Sequence, residues 1–182
     1  MPKVLVPIAE GFEEIEAITI IDILRRAGAE VVVAGLGKKL VEGSHGITVQ
    51  ADQTIEQVNP DGFDMIVLPG GMPGMVNLKQ SEKIIDLLRR LSESKKYTAA
   101  VCASPVVLEE AGIISSKKVT CHPNNAASIK SGEYTGSRVE VDGRVITGQA
   151  AGSAMEFAFK LVEVLFGKEK VEEINQGVLA LL

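Results

Sequence analysis

Apolar residues follow two rhythms along this chain. Short, nearly unbroken apolar runs within Lys3 to Ile8, Glu30 to Leu36, Asp64 to Leu68 and Tyr97 to Val101 predict strands buried on both faces. Between them the apolar positions recur every three or four residues: Ile15, Ile18, Ile21 and Leu24 within Glu13 to Ala27, and Ile84, Leu87, Leu88 and Leu91 within Ser81 to Leu91. That period predicts amphipathic helices, the first ended by Gly28. Strand and helix in alternation predict an α/β fold: a doubly wound, mainly parallel sheet with helices on both faces.

The remaining segments fit around this frame. Gly37, Gly43 and Gly46 surround the short runs Lys39 to Val41 and Ile47 to Ala51, which read as an antiparallel excursion outside the main sheet. Lys117 to Cys121 reads as a short strand, His122-Pro123 as a turn and Asn124 to Ile129 as a short helix. Asp142-Gly143 joins Arg138 to Val141 and Arg144 to Thr147 into a hairpin. Gly152 to Phe166 is a long helix with Phe157, Leu161 and Leu165 on one face, and Val171, Ile174 and Val178 mark the last one. No linker or repeat interrupts the chain, so residues 1–182 are expected to form one domain.

Composition narrows the function classes. No window approaches the roughly 20 apolar residues of a membrane span, and Met-Pro-Lys runs directly into Val-Leu-Val-Pro-Ile without an export signal, so a cytoplasmic protein with no membrane partner is expected. Two cysteines, Cys102 and Cys121, make no disulfide framework. A net charge of −5, scattered basic pairs, five Phe, two Tyr and no Trp speak against a stable nucleic-acid complex. Two Cys and two His without a close ligand spacing speak against structural zinc, and no metal or cofactor is expected.

Ligands of open α/β sheets bind at the carboxyl ends of strands. Three such ends carry chemistry here: Ala9-Glu10-Gly11-Phe12-Glu13-Glu14-Ile15-Glu16, Pro69-Gly70-Gly71 and Cys102-Ala103-Ser104-Pro105. Cys102 stands where a strand turns into a helix, a place whose free N–H groups and helix dipole favour thiolate. Inert core cysteine is the competing reading; the exposed helix start, with Pro105 in its first turn, favours a nucleophile. Glu13 and Glu16 share a face while Glu14 points elsewhere, and two of these three acids suit a first-turn dipole role. A buried carboxyl beside the thiol would have a raised pKa and could shuttle a proton. A glycine N–H after Pro69 and the N–H of Ala103 form a possible oxyanion hole. His122 follows a strand and is as readily a turn histidine as a catalytic one; Cys121 reads as structural and His45 as surface.

The segments Gly-Phe-Glu-Glu-Ile-Glu-Ala-Ile, Asp-Ile-Leu-Arg-Arg-Ala-Gly, Val-Leu-Pro-Gly-Gly, Ala-Ala-Val-Cys-Ala-Ser-Pro, Val-Thr-Cys-His-Pro and Met-Glu-Phe-Ala occur in that order along the chain. Together they resemble the ThiJ/PfpI superfamily, and within it the branch containing the Parkinson disease protein deglycase. The resemblance implies a flavodoxin-like fold, a homodimer and an oxidisable nucleophile at Cys102 on a strained elbow. It also implies that Glu16 contacts the thiol, that Gly71 and Ala103 are backbone donors, and that His122 lies near the pocket. Ala103 stands where the peptidase branch has His, and no His follows His122, which speaks against a PfpI-type peptidase and against a glutamine amidotransferase. Ala150-Ala151-Gly152 stands where close relatives often read Gly-Pro-Gly, and His45 where Arg is frequent. The function so implied is a cofactor-independent, glutathione-independent glyoxalase or deglycase acting on methylglyoxal-like dicarbonyls or their early protein adducts. The alternative is a redox-sensing chaperone that works through oxidation of Cys102.

Overall fold

The structure, a computed structural model, describes residues 1–181. In chain order the elements are β1 (Lys3–Ile8), α1 (Glu14–Arg26), β2 (Glu30–Gly35), β3 (Leu40–Glu42), β4 (Thr48–Gln50), β5 (Gln53–Thr54), β6 (Met65–Leu68), α2 (Gly74–Gln80), α3 (Glu82–Glu93), β7 (Tyr97–Val101), α4 (Pro105–Glu110), β8 (Lys118–Val119), β9 (Glu133–Tyr134), β10 (Val139–Asp142), β11 (Val145–Gly148), α5 (Ala154–Phe166) and α6 (Lys168–Val178). Short 3-10 segments lie at Ile55–Gln57, Pro123–Ser128 and Ala151–Ser153.

Seven strands form the main sheet in the order β10-β11-β7-β6-β1-β2-β5. Every neighbouring pair is parallel except the β10–β11 hairpin. The central strands are almost wholly apolar, Lys3 and Thr98 apart, because both faces are covered. Their side chains alternate between two cores: Val4, Val6, Ile8, Met65, Val67, Ala99 and Val101 enter one, and Leu5, Ile66, Leu68 and Ala100 the other. The first core is closed by α1, α5 and α6 through residues such as Leu24, Phe157 and Ile174. The second is closed by α2, α3 and α4 through Leu78, Leu88 and Val107. The excursion is the separate antiparallel pair β3–β4, as its glycine spacing predicts. Among the described residues no helix is long and apolar enough to cross a membrane.

Helix α1 turns a different face inward from the one its isoleucine spacing predicts. Ile15 and Ile18 are 59% and 44% exposed, while Ala17, Ile20 and Leu24 are buried together with Glu14 and Glu16. The rotation follows from position: α1 packs against α5 and the sheet, and residues at spacings of three and four from Ala17 through Ile20 to Leu24 meet that surface. The sequence reading also lacks β5, β9 and α2, and β8 pairs with β9 in a second two-stranded sheet.

Phe157 is fully buried against Gly148 and the sheet. Phe157→Ala is expected to lower stability by about 3–5 kcal/mol, seen as a lower urea midpoint with an unchanged slope; a wild-type midpoint would contradict this packing.

Candidate active site

Strands β7, β6 and β1 are adjacent in the sheet, so the three chemistry-bearing strand ends meet at one edge. Cys102 directly follows β7 with φ +62, a left-handed conformation unusual for a side chain that carries a Cβ. The surrounding structure imposes it. The Cys102 N–H donates to the Gly148 carbonyl at 3.0 Å, and its carbonyl accepts from the His122 N–H at 2.8 Å. The result is an elbow with a half-buried thiol above the sheet edge, as the strand-to-helix reading predicts.

Glu16 is wholly buried and accepts the Gly70 N–H on Oε2 at 2.7 Å, while Oε1 has no hydrogen-bond partner among the described residues. What the carboxyl faces is the Cys102 thiol. Their convergence can be read from Gly70: a Cβ there would lie 2.7 Å from both Cys102 Cβ and Glu16 Oε2. Gly71, at φ +97, passes so close to α1 that its own Cβ would lie 2.3 Å from Glu13 N, so only glycine fits. The backbone N–H groups of Ala103 and Gly71 act on the thiol from the two adjoining turns and favour its charged form.

These neighbours set the protonation. Burial pushes Glu16 up to about 7, the charge of Glu13 adding to it, against the pull of the Gly70 N–H and the thiol. Burial likewise pushes the Cys102 thiol up to about 12, reinforced by the charge of Glu16, while the Ala103 and Gly71 N–H groups pull it down. Burial and an ionised Glu16 thus outweigh the pull of the two N–H groups, and the thiol form is favoured instead of the thiolate expected from the helix start. The pair acts as one site that shares a proton. When the proton sits on Glu16, its repulsion of a thiolate disappears and the two N–H groups remain to receive the sulfur charge.

His122 reaches the elbow through its backbone N–H. Its ring caps the following 3-10 turn, with Nδ1 accepting from the Asn124 N–H at 3.2 Å, which places the proton of a neutral ring on Nε2. Cys121 is buried in the core on the opposite side of the sheet from Cys102, and burial pushes its thiol up to about 11.

A family model described as the DJ-1/PfpI family matches residues 2–164. The chain belongs to that family. It is 43% identical over 180 residues to Protein DJ-1 homolog A of Arabidopsis thaliana, covering 98% of this chain and 46% of that protein, so it spans about half of that relative's length. It is 36% identical to the Glutathione-independent glyoxalase DJR-1.2 of Caenorhabditis elegans over 91% of this chain and 89% of that one. The solved structure of oxidized Toxoplasma gondii DJ-1 superposes with a TM-score of 0.96 at 40% identity over the whole of both chains. The flavodoxin-like, doubly wound architecture is thus the DJ-1 fold.

Two parts of this DJ-1/PfpI site escape a sequence reading. Gly148 acts through a carbonyl that every residue possesses; what marks the glycine is that a Cβ would lie 2.9 Å from Phe157 and Val101. Glu14, read as pointing away from the face shared by Glu13 and Glu16, is buried beneath the excursion loop, where its carboxylate accepts the His45 and Ile47 N–H groups at 2.7 and 3.3 Å and meets His45 Nδ1 at 3.0 Å. Burial opposes the charge, yet these bonds hold Glu14 down at about 2. Glu13, Glu14 and His45 bring ligand-type atoms within 4.8 Å of one another, but Glu14 is already fully engaged by the loop.

The raised Glu16 pKa has a stability signature. Glu16 titrates at about 7 in the folded chain against a usual 4.5, so wild type is favoured below 4.5 and loses that advantage as pH rises to 7. Glu16→Gln, which carries no charge, is expected to gain in stability relative to wild type between these two values and then level off. Urea unfolding across that range measures it, and a pH-independent difference would contradict the assignment.

Proposed function

We propose that this chain is a cofactor-independent enzyme that converts small reactive dicarbonyls such as methylglyoxal to hydroxy acids, or releases their early adducts from protein, through Cys102. The observation that carries the proposal is the buried Glu16 carboxyl brought by the Gly70 turn against the Cys102 elbow. The name of the 36% identical Caenorhabditis elegans relative supports the glyoxalase form.

The steps use only these groups and water. The Cys102 thiolate forms a C–S bond to the aldehyde carbon, whose carbonyl electron pair moves onto oxygen and is held by the Gly71 and Ala103 N–H groups. Protonation of that oxygen by Glu16 gives the hemithioacetal. The Glu16 carboxylate then takes the proton from the former aldehyde carbon, the electron pair moving through to the ketone oxygen to leave an enediolate. That proton returns to the neighbouring carbon while the hydroxyl on the first carbon passes its proton to the second oxygen, so that a C=O forms at the first carbon and an alcohol at the second. One carbon is oxidised and the other reduced, leaving a thioester of the hydroxy acid. Water breaks the C–S bond, the acid departs and the thiolate is regenerated. A carboxyl that titrates near 7 serves both as acid and as base. His122 Nε2 is the second candidate proton carrier.

The alternative, a redox-sensing chaperone, is favoured by the solved oxidized Toxoplasma relative and by a buried acid placed to hydrogen-bond an oxidised sulfur. The two readings part on oxidation: peroxide treatment stops an enzyme and switches on a sensor. A homodimer in a reducing cytoplasm fits either; the exposed Ile15 and Ile18, with Met155 beside Ile18, are the face we assign to it.

Methylglyoxal turnover to lactate decides the leading proposal. Cys102→Ser is expected to fall to background, Glu16→Gln to lose about 10²–10⁴-fold, and Cys121→Ser to keep wild-type rates. Full activity in Cys102→Ser would falsify the nucleophile. For the dimer, Ile18→Asp should shift wild-type sedimentation from dimer to monomer; an unchanged profile removes Ile18 from the interface.

A further inference from the structure

We propose that Ser104 is a positioning residue of the Cys102 site: its hydroxyl clamps the turn that bears Gly71 to the turn that bears Ala103, and so sets the spacing of the two backbone donors. The inference rests on the nucleophile reading above and extends it to a residue that touches neither thiol nor substrate.

The register between β6 and β7 ends with Leu68 opposite Ala100. Beyond that pair the strands become two separate turns, Pro69-Gly70-Gly71 and Cys102-Ala103-Ser104, and one backbone N–H from each favours the charged form of the thiol. On its α1 side the first turn is held by the Gly70 N–H to Glu16 at 2.7 Å and by the Glu13 N–H to the Gly70 carbonyl at 2.9 Å. On its α4 side the Ser104 hydroxyl donates to the Pro69 carbonyl at 2.6 Å, in a wholly buried position.

That bond departs from what a serine at this place ordinarily does. Ser104 is the N-cap of α4, where a serine oxygen usually accepts from the helix's own N–H groups. Here no side-chain cap bond is made, and the hydroxyl is directed across to the neighbouring turn. Without it the Pro69 carbonyl is left buried with that partner missing, and Gly71, two residues on, loses its tie to the elbow. Small displacements of oxyanion donors lower rates because their hydrogen bonds must meet charge that develops in the transition state.

The test compares wild type, Ser104→Ala and Ser104→Thr by steady-state methylglyoxal kinetics and by the pH dependence of iodoacetamide alkylation of Cys102, with Cys102→Ser as the kinetic control and the alkylation blank, all normalised to folded protein. Ser104→Ala is expected to lose about tenfold to a hundredfold in kcat, with KM little changed, and to shift the alkylation midpoint to higher pH. Ser104→Thr, which keeps the hydroxyl, is expected to retain both wild-type values. Wild-type kcat and an unmoved alkylation profile in Ser104→Ala overturn the clamp, as does a loss that vanishes on normalisation. Alkylation needs no turnover, so it still judges the clamp if Cys102→Ser stays active and the proposed reaction is what fails.

Discussion

The left-handed backbone of Cys102 is the constraint on which this site is built. A residue with a Cβ in that region stores of order 1–3 kcal/mol of strain, and it persists only where neighbours over-determine it. Gly148 and His122 do so by binding the N–H and the carbonyl of the same residue from two different segments. Held this way, the chain leaves β7 and enters α4 with the thiol above the sheet edge instead of within a core. The elbow therefore depends on β11 and on the segment after β8 as much as on its own sequence.

Burial then defines the chemistry. A carboxyl and a thiol placed together out of water cannot both be charged without repulsion, so a single proton is divided between them. The Gly70 N–H fixes one oxygen of Glu16, and the other is buried without a hydrogen-bond partner among the described residues. Glycine at 70 and 71 is what permits three segments to converge within contact distance, since a Cβ at either position would overlap backbone or the reacting groups. Glu14, two residues earlier on the same helix, lives under the opposite regime: it is buried too, but enough N–H groups surround it to keep it ionised. Two carboxyls on one turn of helix thus differ by about five pH units in their titration, a gap set by hydrogen-bond supply.

Much of this was legible along the chain. The apolar runs located β1, β2, β6 and β7, and the Asp142-Gly143 turn located the β10–β11 hairpin. The strand-to-helix junction singled out Cys102, and the resemblance of the surrounding segments named Glu16, Gly71 and Ala103. Helix α2 was not legible: it begins at Gly74 after Pro73 and ends against Ser81, which caps α3, so its seven residues carry too little periodicity to stand out. The two-residue strands β5 and β9 owe their existence to a neighbour's free edge rather than to local preference.

By itself the sequence determined the alternation of strand and helix, the family and the residues that could react, because these follow from local patterning and residue chemistry. Tertiary structure alone decided which face of α1 is buried, exposing Ile15 and Ile18 and sealing Glu14 and Glu16. It also decided that burial outweighs the backbone donors at Cys102, and that the Ser104 hydroxyl turns from its own helix to Pro69. Desolvation and hydrogen-bond supply depend on which distant segments enclose a group, and no local spacing records that.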